Sequence, residues 1–201
     1  MAFALSEFKT NLSGGGAKSA LFEVNLSYPT PVTSPPVDAK FLISAAFIPA
    51  STVGTYDIFY HGKAIKVASD RTYESTWDTT IINDEDFGIR NTLERWMSLL
   101  SNHELNTRSN SVTSVKKEGK NAEYKTDIFV SQYSKNGTLL QKYKFIGAFP
   151  SALSTIALSW GTSEIETYTC GWTYDCWEHE DLTTGEVITN VQSLTGTTTG
   201  F

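Results

Sequence analysis

The chain has 201 residues, a formal charge of −6, and 40% apolar, 12% aromatic and 19% charged side chains. That length and aromatic content fit one domain with a substantial core and exclude a chain disordered through most of its length. The mild acidic balance excludes a sequence-reading nucleic-acid binder, which needs Lys and Arg to displace counterions from phosphate, but suits a protein past which nucleic acid slides without sticking.

Residues 1–19 read as a flexible N-terminal arm. Its first eleven residues place no basic region before an apolar stretch and include Glu7, so no targeting segment is predicted. The arm runs into Gly14-Gly15-Gly16, a joint that precedes a strand and is therefore no phosphate cradle. Alternation then begins. Phe22, Val24, Leu26 and Tyr28 share one strand face, with Glu23, Asn25 and Ser27 on the other. Pro29, Pro31, Pro35 and Pro36 make 29–39 a stiff surface connection. Residues 41–48 predict a strand with apolar side chains on both faces, which calls for cover on both sides. The apolar run around it is broken by Ser44 and Pro49 and is far short of the roughly 20 residues that span a bilayer, so no membrane partner is expected.

A hairpin is predicted from 56–60 and 63–68 across His61-Gly62, a two-residue link. A long strand follows at 73–83, with Tyr73, Trp77 and Ile81 opposite Glu74, Thr76, Asp78 and Thr80. Ile89, Leu93, Trp96, Met97 and Leu100 then form one helical stripe, placing a helix at 84–101. Asn83 stands in the capping position with Asp86 three residues on, and Asp84, Glu85 and Asp86 suit the positive end of the helix dipole. The polar segment 102–121 reads as an exposed loop, with Lys116, Lys117 and Lys120 offset by Glu118 and Glu123. A second hairpin pairs 124–133 with 139–149 across Asn136-Gly137, the strongest short hairpin signal in the chain. A third runs from 155–160 through Gly161 to 164–177. After Glu178 the composition turns Thr- and Gly-rich, a loosely held extension over 179–201. About nine strands and one helix, with no 20–50-residue period, predict a mainly β protein: an antiparallel β-sandwich or barrel with one flanking α-helix.

Chemistry is hard to find. Cys170 and Cys176 lie on one predicted strand face about 20 Å apart, beyond disulfide reach, and read as buried free thiols. Cys176, Glu178 and His179 match no zinc spacing, and His61, His103 and His179 stand alone. No nucleophile elbow, Walker loop or H-E-x-x-H motif is present. Neither an enzyme nor a cofactor or metal site is predicted.

The stretch 67–100 is more specific than any of these motifs. It resembles the tail-tube proteins of contractile-tailed, T-even-like bacteriophages (myoviruses), whose pattern is carried here by Asp70, Arg71, Thr72, Tyr73, Trp77, Asn83, Asp84, Arg90 and Trp96. The segments 20–28, 122–137, 145–153 and 158–178 continue the likeness, notably Ser163-Glu164-Ile165-Glu166-Thr167. It covers about 20–178, leaving out the Pro-rich connection, part of the long loop and the tail.

The resemblance implies the phage tail-tube fold and a structural role. Such subunits form hexameric rings that stack into a tube inside a contractile sheath, bounded by baseplate and tail terminator proteins. Viral DNA passes through the lumen without specific binding. It further implies synthesis in a bacterial cytoplasm and residence in the virion. Tyr56, Ile58, Tyr60, Ile65 and Val67 on the first hairpin are candidates for contact with the adjacent ring. Glu74, Thr76, Asp78 and Thr80, with Thr167, Thr169, Thr173 and Asp175, are candidates for the lumen wall, where net negative charge would repel phosphate. Alternation fixes the faces but not which one points inward. Glu85, Arg95 and Ser98 on the helix are candidates to face the sheath. The alternatives are a baseplate-proximal tube protein, the tube of a phage-like contractile injection system, and, in another class, a monomeric ligand-binding β-barrel.

Overall fold

The computed structural model describes residues 5–12, 15–74, 76–107, 124–161, 163–180 and 182. Among the described residues nine strands and two α-helices, with a 3-10 turn at Ala39–Phe41, follow in the order α1 (Leu5–Asn11), β1 (Phe22–Leu26), β2 (Ile43–Ala46), β3 (Thr52–Tyr60), β4 (Lys63–Thr72), β5 (Thr76–Ile82), α2 (Gly88–Leu100), β6 (Thr126–Tyr133), β7 (Leu139–Leu153), β8 (Thr167–Thr173) and β9 (Cys176–Glu180). Seven strands form one antiparallel sheet in the order β1-β6-β7-β8-β5-β2, with β9 also paired to β7. The long β7 belongs to both halves: its first part lies between β6 and β9, its last part beside β8. The sheet thus folds over at β7 into a sandwich. The expected fold class is what is found.

The fold-over has a local cause. Gly147 sits at φ +67°, and the register against β6 shifts there. A side chain at 147 would come within 2.3 Å of an Asp175 carboxylate oxygen, so only glycine fits. On the neighbouring strand Tyr174 and Asp175 interrupt β8 and β9, and Asp175 N donates to Ile146 O at 3.0 Å. Both strands swap faces across this bend. Cys170, Trp172 and Tyr174 point into the core before it, and Trp177 takes over after it. Cys176 is therefore half-buried rather than sharing the face of Cys170; both remain free thiols.

The core joins the two halves. Val24, Leu26, Ile128, Val130 and Phe145 meet Trp77, Ile81, Tyr168 and Trp172, and the Trp77 and Phe145 rings stack at 4.3 Å. Helix α2 closes the side with Ile89, Leu93 and Trp96, the last packing edge-on to Trp172 at 5.8 Å. Segment 29–39 lies along this helix, with Val32 buried, and Tyr28 packs on Trp96.

Several boundaries differ from expectation. The strand predicted over 41–48 is only Ile43–Ala46, and Phe41, Phe47 and Ile48 are 76%, 66% and 50% exposed, so the cover expected on both sides does not come from this subunit. The strand at 73–83 begins at Thr76, and the motif residues Asp70, Arg71 and Thr72 form the end of β4. Residues 155–160 form no strand; β7 pairs directly with β8 and β9. The arm contains α1, which α-periodicity too short to read had concealed. Helix α2 starts at Gly88, so Glu85 lies in the preceding turn. The N-cap position is held not by Asn83 but by Phe87, at φ +53° and with no side-chain cap bond, while Asp84 Oδ1 accepts from Gly88 N at 3.1 Å. His179 is not solvated: it is half-buried, stacked on Tyr143 at 4.8 Å and hydrogen-bonded to Gln141. Strand β9 reaches Glu180, past the boundary expected at 178. Lys116, Lys117, Lys120 and residues 183–201 lie outside the described residues.

Candidate assembly surfaces

The hairpin β3–β4 forms a sheet of its own. Its turn needs left-handed backbone, supplied by His61 at φ +45° and Gly62 at φ +80°, the geometry a two-residue link requires. Register places Tyr56 beside Val67, Ile58 beside Ile65 and Tyr60 beside Lys63, so the five apolar residues expected to act together share one face. The other face carries the Asp57–Lys66 ion pair at 3.0 Å, with Phe59 beside Ala64. Tyr56, Ile58 and Ile65 are about half exposed and Tyr60 is 68% exposed. A two-stranded ribbon is marginal in water, and here its apolar face has no cover from its own body. At the base, Arg71 donates to Ser51 Oγ at 2.6 Å, tying the hairpin root.

The outward face of β5 and β8 is small and polar. Thr76 pairs with Thr173, Asp78 with Gly171, Thr80 with Thr169 and Ile82 with Thr167. The close approach of Asp78 to Gly171, where a Cβ would sit 3.2 Å from its oxygen, keeps this wall flat. Glu74 is exposed just before β5. Asp175 is set apart at the bend, its carboxylate held by Lys125 at 2.6 and 2.7 Å. The negative charge that this face presents therefore rests on Glu74 and Asp78, not on Asp175.

On α2, Arg95 and Ser98 are exposed and border a shallow groove with Pro31, Val32 and Leu99. Glu85 is exposed ahead of the first helical turn, so the three candidates do not form one patch. Among the described residues β1 pairs only with β6, β2 only with β5 and β9 only with β7, so each keeps one edge without a strand partner.

The motif residues are mostly ties that hold these surfaces in place. Trp77 Nε1 donates to Phe47 O at 2.6 Å and Trp96 Nε1 to Tyr124 O at 2.9 Å, which lets both indoles be buried. Asn83 donates through N and Nδ2 to Glu166 O and Oε2, both at 2.8 Å. Arg90 bonds Glu94 and Ser154 O and lies over the Tyr168 ring at 5.0 Å. Asp70, Arg71 and Thr72 are exposed at the hairpin root.

The titratable groups that are strongly displaced are core groups. Burial pushes the Cys170 thiol and the Tyr28 and Tyr168 phenols above their ordinary range, and all three stay neutral at pH 7. Among the described residues no group of three or more His, Cys, Asp and Glu side chains can hold a metal ion, and no helix is long and apolar enough to cross a membrane. What sequence reasoning missed is the connection between β7 and β8, where Leu158, Trp160 and Ile165 are 81%, 108% and 77% exposed. Three large apolar residues among Ser, Thr and Gly were the available signal.

Comparison with known proteins identifies the family. The family model of the phage tail tube protein matches residues 7–180. The tail tube protein gp19 of Enterobacteria phage T4 is 29% identical over 168 residues, covering 83% of this chain and 93% of that protein, and gp19 of Enterobacteria phage T6 matches to the same extent. Among solved structures, a chain of the anti-feeding prophage baseplate superposes with a TM-score of 0.58 at 11% identity, covering 82% of this chain and 95% of its own. A chain in the sheath/tube terminator of an extracellular contractile injection system superposes with a TM-score of 0.56 at 15% identity, covering 83% and 97%. These structural likenesses show the shared fold. The family match spans nearly all of the described residues, and the chain belongs to the phage tail tube protein family, as a structural subunit of the tube.

Proposed function

We propose that copies of this subunit form hexameric rings that stack into a tube within a contractile sheath, closed by baseplate and terminator proteins, and that viral DNA passes through it. The observation that carries this reading is the β3–β4 hairpin, whose apolar face is built from five side chains and left uncovered. A soluble monomer that kept such a face in water would be prone to association. In a stack of identical subunits the same face becomes the joint between rings. The single-partner edges of β1 and β2 support lateral contact, since an unpaired strand edge is a template for another chain. In a closed ring each edge would be met by a neighbour.

The β5–β8 face supports a lumen role. Thr76, Thr80, Thr167, Thr169 and Thr173 offer hydroxyls but no cations, and Glu74 and Asp78 repel phosphate at short range. DNA would meet a wall that offers no cation to ion-pair with its phosphates. Arg95 and Ser98 on α2, with Glu85 ahead of it, are the residues we assign to the sheath side. The tube is thus a component of the virion, made in the host cell.

The test is electron microscopy of the purified protein, followed by the Ile58→Asp/Ile65→Asp double variant. The wild type should give annular particles and tubes, and the variant should remain folded but stop at rings or free subunits. Tubes of normal length from the variant would reject the hairpin as the ring joint. A tube map in which Glu74 and Asp78 point away from the axis would reject the lumen assignment.

A further inference from the structure

The connection from Ser154 to Glu166 is pinned at both ends. Ser154 N donates to Thr169 O and Thr169 N to Ser154 Oγ, both at 2.9 Å; Arg90 Nη1 holds Ser154 O at 2.9 Å, and Asn83 N holds Glu166 O at 2.8 Å. Between these anchors Leu158 and Trp160 stand clear of the body, with the Trp160 side chain fully exposed in a turn completed by Gly161. The other four tryptophans, Trp77, Trp96, Trp172 and Trp177, are at most 9% exposed. A full indole is among the largest apolar surfaces a side chain can offer and is enriched where interfaces concentrate their binding energy.

A matching hole lies elsewhere on the same chain. Phe22 of β1, Val130 of β6 and Tyr143 of β7 line a cleft with Phe47 and Ile48, which follow β2 and are 66% and 50% exposed. The cleft opens between the unfilled edges of β1 and β2. Its rim also holds Ser19 and Gln132, whose oxygens can accept from an indole N–H. Knob and hole sit at opposite ends of β5: Ile82 pairs with Thr167 beside the loop, while Trp77 bonds Phe47 O beside the cleft. At about 3.3 Å per residue these ends are roughly 20 Å apart, and Trp160, fully exposed, does not occupy its own cleft. Opposite placement is what a head-to-tail contact between copies requires.

We propose that Trp160 of one copy seats in the β1–β2 cleft of an adjacent copy as an aromatic anchor of the assembly. The inference rests on the tube reading, because it needs a second copy in a repeating contact. It adds a residue-level joint separate from the hairpin.

Trp160 is the exposed tryptophan, so its own fluorescence reports the contact. On assembly of the wild type, emission should shift to the blue and acrylamide quenching should fall to the level of the buried indoles. Trp160→Phe, which keeps an aromatic anchor, should assemble without that shift. Trp160→Ala and Phe47→Asp should each raise the concentration needed for assembly at least tenfold while leaving the circular dichroism of the subunit unchanged. A Trp160→Cys/Phe47→Cys variant in a Cys176→Ser background should give a ladder of cross-linked copies on oxidation. Tubes with unchanged Trp160 quenching, tubes without a ladder, or a Trp160 already shielded in dilute monomer overturn the contact. A wild type that gives no annular particles overturns the tube reading itself, and this contact with it.

Discussion

The hairpins β3–β4 and β6–β7 are written in the same local language and have opposite fates. Both alternate apolar and polar residues and both turn on a glycine with positive φ, Gly62 in one and Gly137 in the other. Yet Ile128, Val130 and Phe145 of the second are buried to 4% exposure or less, whereas Ile58, Tyr60 and Ile65 of the first are 48–68% exposed. The difference lies in what stands opposite. The inner face of β6–β7 meets β5, β8 and α2 of its own chain, and that of β3–β4 stays largely exposed among the described residues. Alternation therefore states that a face is to be covered without stating which molecule covers it.

The contrast can be broken from the buried side first. Trp96→Ala removes an indole at 0% exposure that touches Tyr28 and Trp172, and should cost about 3–5 kcal/mol, read from the urea midpoint. A loss under about 1 kcal/mol would mean that α2 is not part of the core.

Alkali should act on the same core. The folded thiol of Cys170 and the phenols of Tyr28 and Tyr168 have raised pKa values because burial disfavours their anions, so their stabilisation is complete below the unfolded values of 9.0 and 10.0. As pH climbs past those values the unfolded chain releases protons that the folded chain keeps, and stability should fall. Urea midpoints from pH 8 to 11 should show the decline, with a shallower onset near pH 9 in Cys170→Ala. A flat profile would place these groups in water.

Smaller losses should come from backbone devices. Gly147→Ala forces a Cβ onto Asp175 at positive φ and should cost about 1–3 kcal/mol in thermal unfolding. Asp84→Ala removes the acceptor for Gly88 N and should cost about 1 kcal/mol. If Asp84→Ala is neutral while Asn83→Ala is not, the acceptor is misassigned. Smallest of all, the single changes Ile58→Thr and Ile65→Thr, which keep a β-branched strand residue, should each shift subunit stability by no more than about 0.5 kcal/mol, because neither side chain is in the core. A large loss would put the hairpin with the buried half of the comparison.

Much of this was legible from residue order. His61-Gly62 and Asn136-Gly137 located two turns, and the stripe of Ile89, Leu93 and Trp96 located α2 and its buried side. The register, which sequence alone did not give, puts Tyr56, Ile58, Tyr60, Ile65 and Val67 on one face. What stayed hidden depends on long-range geometry. The bend at Gly147 looks like any glycine in a strand until Asp175 approaches it, and the resulting face swap is why Trp177, not Cys176, reaches the core. Asn83 does not cap α2, which starts after Phe87, because its side chain is drawn to Glu166, a partner 83 residues on. Residues 155–160 read as a strand because Ile156, Leu158 and Trp160 alternate, but among the described residues they pair with no strand.

The most direct test of the uncovered hairpin is a cryo-EM reconstruction of the protein assembled from purified subunits. The expected map shows Tyr56, Ile58 and Ile65 buried against a neighbouring copy in the next ring, with the β1 and β2 edges met by copies in the same ring. A tube in which that hairpin face remains in solvent, or a protein that stays monomeric at every concentration, would contradict it.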